Sequence, residues 1–134
     1  MVLGGGLLPD GGLPEWVARR LDGALDLYRQ QQQQAEWQGG NGSTLQRGTS
    51  SSSQRWPCSI VLLGAGTPHK QPVIDSAGYV LHESTAYATY LMQRGVPAAH
   101  LLKEIHSYDT VGNGYFSLLI HALPAGWRQV CSAS

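Results

Sequence analysis

Four consecutive apolar residues, Ile60 to Leu63, constrain this chain more than any other stretch. A strand with one face in water alternates apolar and polar side chains. An unbroken β-rich run needs cover on both faces, which is the pattern of a parallel sheet. Parallel strands are not joined by a tight turn; they need a crossover, usually a helix. The flanking sequence is therefore read for helices and further strands.

Downstream, "LHESTAYATYLMQRG" (81–95) sets Ala86, Tyr87, Tyr90, Leu91 and Arg94 at helical spacing. Gly95 is a good stop, and Pro97 cannot continue the helix. "HLLKEI" (100–105) is a short second strand. "YDTVGNGYFSLLIHAL" (108–123) reads as a second core helix, with Val111, Tyr115, Leu118, Leu119 and Ala122 at i, i+4, i+7, i+8 and i+11. Asp109 can cap its start. Gly112 and Gly114 each cost about 1 kcal/mol relative to alanine in a helix. Close backbone approach by another element or a ligand is expected there. "WRQVCS" from Trp127 begins a third strand.

Upstream, residues 14–34 form a helix whose stripe is Val17, Leu21, Ala24, Leu25 and Tyr28. Pro14 and Glu15 suit its first turn. Arg19, Arg20, Asp22 and Asp26 lie off the stripe, as on a solvated face. The order strand, helix, strand, helix, strand implies right-handed crossovers. The expected fold is a Rossmann-like three-layer α/β domain with a short parallel sheet of about three strands.

A chain of 134 residues makes one domain with a modest core. That domain is expected over 8–130, interrupted at about 36–55 by a disordered Gln/Gly/Ser-rich insertion. The insertion follows five glutamines, Gln30 to Gln34. Its composition cannot bury enough surface to offset backbone entropy. Nine basic and nine acidic residues cancel, so bulk charge gives no reason to bind nucleic acid. No apolar run approaches the roughly 18 to 20 residues of a membrane helix, so no transmembrane segment is expected. "MVLGGGLLP" lacks a basic start and is too short for a signal peptide. Cys58 and Cys131 match no zinc or redox spacing. They read as buried free thiols, with a single disulfide as the alternative. A cytoplasmic or other intracellular soluble compartment is expected.

In parallel sheets ligands bind beyond the carboxyl ends of the strands. There "GAGTPHK" (64–70) leaves the first strand. It is no dinucleotide fingerprint: position 69 is His69, and the helix begins more than ten residues later. Gly64 and Gly66 can expose backbone N–H groups to an anion, with Thr67 adding a hydroxyl and His69 or Lys70 a charge. The alternative is a flexible strand exit. Glu83 and Ser84 fall in the first turn of the following helix. Glu83 is either a base and hydroxyl acceptor or a partner for the free N–H groups of that helix start. Asp109, Asn113 and Ser117 recur every fourth residue, with Asp109 and Asn113 facing the site. Gly66, Glu83 and Asn113 are expected around one hollow. His82, His106 and His121 lack metal-ligand spacing, so no metal site is expected. No cofactor is specified.

The stretch from Ile60 to Phe116 resembles the DUF218 (YdcF-like) family. The matches are "GAGTPHK", "HESTA", "RGVP", E-x-x-S-x-D-T-x-G-N from Glu104 to Asn113, and "PAGW" at 124–127. Residues 8–28 also fit the family's first helix. The resemblance implies a Rossmann-like fold with a pocket at the strand ends. By matching motif, Gly64, Gly66, Glu83, Ser84, Ser107, Asp109, Thr110 and Asn113 would line it. Its ligand would be small and polar or anionic, nucleotide-like or phosphorylated. Glu83, Asp109 and Asn113 would carry any chemistry. Family members continue the third strand into a loop with Asn, His and Arg, whereas this chain ends in "QVCSAS". The domain is therefore expected to be incomplete at its C-terminus. The alternative function is a non-catalytic remnant or interaction module.

Overall fold

The computed structural model describes residues 1–39 and 58–132. Helix α1 spans Glu15–Gly39, starting where the Pro14 carbonyl accepts the amides of Val17 and Ala18. Strand β1 is Ile60–Leu63, helix α2 is Glu83–Met92, and strand β2 is Leu101–Glu104. Helix α3, Thr110–Phe116, passes into a π-helical segment, Ser117–Ala122. Residues 36–39 of the expected insertion belong to α1; the remainder, 40–55, lies outside the described residues.

β1 and β2 are parallel, in register from Ile60–Leu101 to Leu63–Glu104, with α2 as their crossover. Mixed helix and strand around a parallel pair is an α/β arrangement, as the unbroken apolar run requires. All four β1 residues are buried. The third strand expected from Trp127 is absent: residues 127–132 are irregular. The edge of β1 away from β2 is held instead by the amino-terminal segment. Val2 N–H donates to the Val61 carbonyl at 2.8 Å, and Leu63 N–H donates to the Val2 carbonyl at 3.0 Å. With both its edges engaged, β1 has no ladder left for the later segment.

The core lies on one face of β1. Strand alternation turns Ile60 and Leu62 the same way, and both join one cluster with α1 and α2. α1 contributes its whole expected stripe, and α2 contributes Tyr87, Ala88 and Leu91. The Tyr28 hydroxyl bonds the His100 ring, tying α1 to the turn before β2. Burial of this size, at about 25 cal/mol per Å² of apolar surface, dominates the stability of so small a domain.

The segment 108–123 is not the core helix its spacing predicts. Val111 is 82% exposed and Tyr115 59%, and Leu118 and Leu119 are also exposed; only Ala122 of the stripe is buried. The buried polar residues are Asn113 and Ser117. At about 100° per residue, that polar pair sits opposite the apolar stripe. Asn113 is hydrogen-bonded to Ser107 in the turn before the helix, which fixes which side faces in. The π-helical turn, with Leu123 N–H on the Leu118 carbonyl, further dephases the 3.6-residue repeat. No described helix is long and apolar enough to cross a membrane.

Candidate functional site

The exits of the two strands run side by side. Gly64 N–H donates to the Glu104 carbonyl at 3.1 Å, and Ala65 N–H to the Ser107 carbonyl at 2.9 Å. Gly64 has φ +122°, a conformation that side chains rarely adopt, and a Cβ there would lie 3.2 Å from the Glu83 carboxylate. Two buried carboxylates, Glu83 and Glu104, organise this end of the sheet.

Glu83 opens α2 and is only 4% exposed. Its Oε2 accepts Gly5 N–H at 3.1 Å, Gly6 N–H at 3.0 Å and the Tyr87 hydroxyl at 3.1 Å. Its Oε1 accepts the Thr67 hydroxyl at 3.0 Å. Three donors thus crowd Oε2, while Oε1 takes one. The amino-terminal glycines are thereby clamped over the strand exit. A Cβ on Gly4 would come 2.8 Å from Glu83 Oε2 and 3.1 Å from the Leu63 carbonyl oxygen. Only glycine lets that backbone approach so closely. Burial, reinforced by the Glu83 charge, pushes the Tyr87 phenol well above its ordinary pKa.

Glu104 ends β2 and is 1% exposed. Its carboxylate accepts the His106 and Ser107 N–H groups and the Ser107 hydroxyl. The hydroxyl also meets the Asn113 amide. Asp109 caps α3 by accepting Gly112 N–H at 2.6 Å. The close approach expected at the helical glycines is real at Gly112, where a Cβ would lie 3.1 Å from Ser107 Cβ. That approach comes from the preceding turn. At Gly114 there is open space, and the spacing argument fails there.

A cavity of about 890 Å³ opens at the β1 exit. Gly66, Thr67, Lys70 and Glu83 line it together with the polar Asp10 and Gln71, and Val73, Ile74, Val80 and Leu81 of the segment 73–81 add apolar side chains. That segment folds back on itself through an Ile74–Val80 bridge. The Asp75 carboxylate accepts Ala77 and Tyr79 N–H groups at its turn, and Gly78 has φ +87°. Gly66 N–H and Thr67 N–H donate to no group among the described residues, and Lys70 joins none of their ion pairs. The Thr67 hydroxyl has given its one proton to Glu83, so Thr67 offers a ligand its N–H and not its hydroxyl.

The expected single hollow is thus two neighbouring sites. Gly66, Thr67 and Glu83 line the cavity, and Gly64 lies directly behind Glu83. Ser107 and Asn113 are buried around Glu104, while Asp109 caps α3 beside them. Thr110, the first residue of α3, is exposed and lines neither. Ser84 is wholly buried, and its hydroxyl has no partner among the described residues. The described residues hold no group of three metal-ligating side chains. Sequence reasoning missed the clamp: Gly5 and Gly6 reach Glu83 from far along the chain, and Tyr87, one helical turn on, bonds both Glu83 and Gly5. Three adjacent glycines before apolar residues were the available signal. It also missed Glu104, whose place at the end of an apolar strand hid its role in the turn. Comparison with protein-family models, curated proteins and solved structures finds no match.

Proposed function

We propose that this chain binds a small anionic ligand at the β1 exit, on a Rossmann-like α/β domain of the DUF218 kind. The observation that carries the reading is the cavity wall itself. Two N–H groups that have no acceptor among the described residues, on Gly66 and Thr67, line the same cavity as an ammonium, on Lys70, that forms no ion pair among those residues. Backbone N–H groups and a lysine are the usual partners of phosphate or carboxylate. Lys70 Nζ also stands close to Gly6, 3.1 Å from where a Cβ would be. Lys70 thus links the cavity wall to the clamped glycines behind it.

In this reading Glu83 organises the wall. Its four hydrogen bonds fix Thr67 and the glycine segment in place. Asp109, Asn113 and Ser107 hold the neighbouring exit, so that Tyr108 reaches Gly66, with its ring carbon 3.7 Å from a Cβ there. The test is thermal unfolding with inorganic phosphate, against chloride at matched ionic strength. Phosphate raises the unfolding temperature of the native chain by mass action, and Lys70→Ala removes the rise. An equal rise in Lys70→Ala overturns the assignment.

A second reading, association between copies, is favoured by the exposed Val111 and Tyr115 of α3 and Leu118 and Leu119 of the π-helical segment after it. Light scattering over a concentration series separates it from the first. A monomer at all concentrations rejects it.

A further inference from the structure

Another part of the cavity lining is chemically unlike the anion wall. It is built from Val73, Ile74, Val80 and Leu81, on a hairpin whose turn carboxylate, Asp75, is occupied by its own backbone. Val73 and Leu81 are anchored, with Leu81 N–H on the Val73 carbonyl at 2.8 Å and both side chains packed against the core. Ile74 and Val80 form the bridging pair and remain 55% and 47% exposed. An anion alone fills little of 890 Å³. Cavities of this size hold whole organic molecules, which bury an apolar body and fix it by a few polar groups.

We infer that the ligand is a phosphate monoester with an apolar organic body, its phosphate at Lys70 and the Gly66–Thr67 amides, its body along the Ile74–Val80 pair. This inference rests on the anion site proposed above and assigns the hairpin as the element that selects the ester group. Val73, Ile74, Val80 and Leu81 offer a polar body such as a sugar no hydrogen-bonding side chain; the polar Asp10 and Gln71 belong to the rest of the lining. Covering Ile74 and Val80 removes apolar surface from water, so each further methylene strengthens binding by a constant factor.

The experiment measures dissociation constants of inorganic phosphate, ethyl phosphate and hexyl phosphate, with hexanol as the uncharged control. The full chain is compared with Ile74→Ser and Lys70→Ala, each checked for folding by circular dichroism. Hexyl phosphate should bind at least about tenfold more tightly than ethyl phosphate, from its added buried methylenes. Ile74→Ser should shrink that ratio while leaving inorganic phosphate binding unchanged, and Lys70→Ala should weaken every phosphate. If hexyl and ethyl phosphate bind equally while Lys70→Ala still weakens both, the hairpin inference falls and the anion site stands. If Lys70→Ala changes nothing, or hexanol matches hexyl phosphate, the anion site falls and this inference with it.

Discussion

Helices α1 and α3 carry the same apolar spacing and meet opposite fates. Each places five apolar residues at i, i+4, i+7, i+8 and i+11: Val17 to Tyr28 in one, Val111 to Ala122 in the other. In α1 all five enter the core, against β1 and α2. In α3 and the π-helical segment that continues it, four of the five face outward, and the polar Asn113 and Ser117 turn inward. Periodicity states that a helix has an apolar side. It does not state that something lies opposite to cover it, or that no stronger local bond turns it away. On α3 the buried cluster of Glu104, Ser107 and Asn113 supplies such a bond, because leaving any of its groups unpaired away from water costs about 1–3 kcal/mol.

The comparison breaks most sharply under truncation of equivalent leucines. Leu21, fully buried, should lose about 2–5 kcal/mol of stability on Leu21→Ala, measured by urea unfolding. Leu118→Ala should change it by less than about 0.5 kcal/mol. Similar losses at both would mean that the α3 stripe is covered in solution. Next in size is Asn113→Ala, which orphans part of the Glu104–Ser107 cluster at a cost of about 1–3 kcal/mol. Hydrogen exchange should then quicken in α3 before α1. Uniform quickening would show that the pin is not local.

A smaller effect is alkaline sensitivity from the covered side. Burial raises the pKa of Tyr28, in the α1 stripe, and of Tyr87, against which it clusters. The folded state thus holds these protons more tightly than the unfolded chain. Their contribution is complete below the ordinary tyrosine value, near 10, and is lost as pH rises through the raised values. Stability should decline above about pH 10, and Tyr28→Phe should flatten part of that decline after costing about 1 kcal/mol for its bond to His100. An unchanged slope would contradict burial as the cause. The smallest expected effect is Val111→Ser, within about 0.5 kcal/mol by the same urea measurement, because that residue is already in water. A larger loss there would again point to a cover on α3.

Legibility followed the range of the interactions. The strands Ile60–Leu63 and Leu101–Glu104 and the crossover helix between them were readable, since an apolar run and a 3.6-residue repeat are local patterns. So was the Asp109 cap, three residues from its partner Gly112. Of the site, Gly66, Thr67 and Glu83 were placed on one cavity, but the role of Glu83 was not. Its partners Gly5 and Gly6 are 78 and 77 positions away, and nothing within α2 points to them. The third strand was misassigned for a related reason: "WRQVCS" has strand composition, but Val2 already bonds the edge of β1.

The sequence by itself determined that Ile60 to Leu63 is buried on both sides and that its neighbours in the chain are helices. Those follow from what each short stretch must keep out of water. Only the tertiary structure decided that the amino terminus borders β1, that glycine N–H groups engage the Glu83 carboxylate, and that the stripe begun in α3 faces outward. Those depend on which distant group reaches a free hydrogen-bonding edge or an uncovered surface, and that competition has no trace in local periodicity.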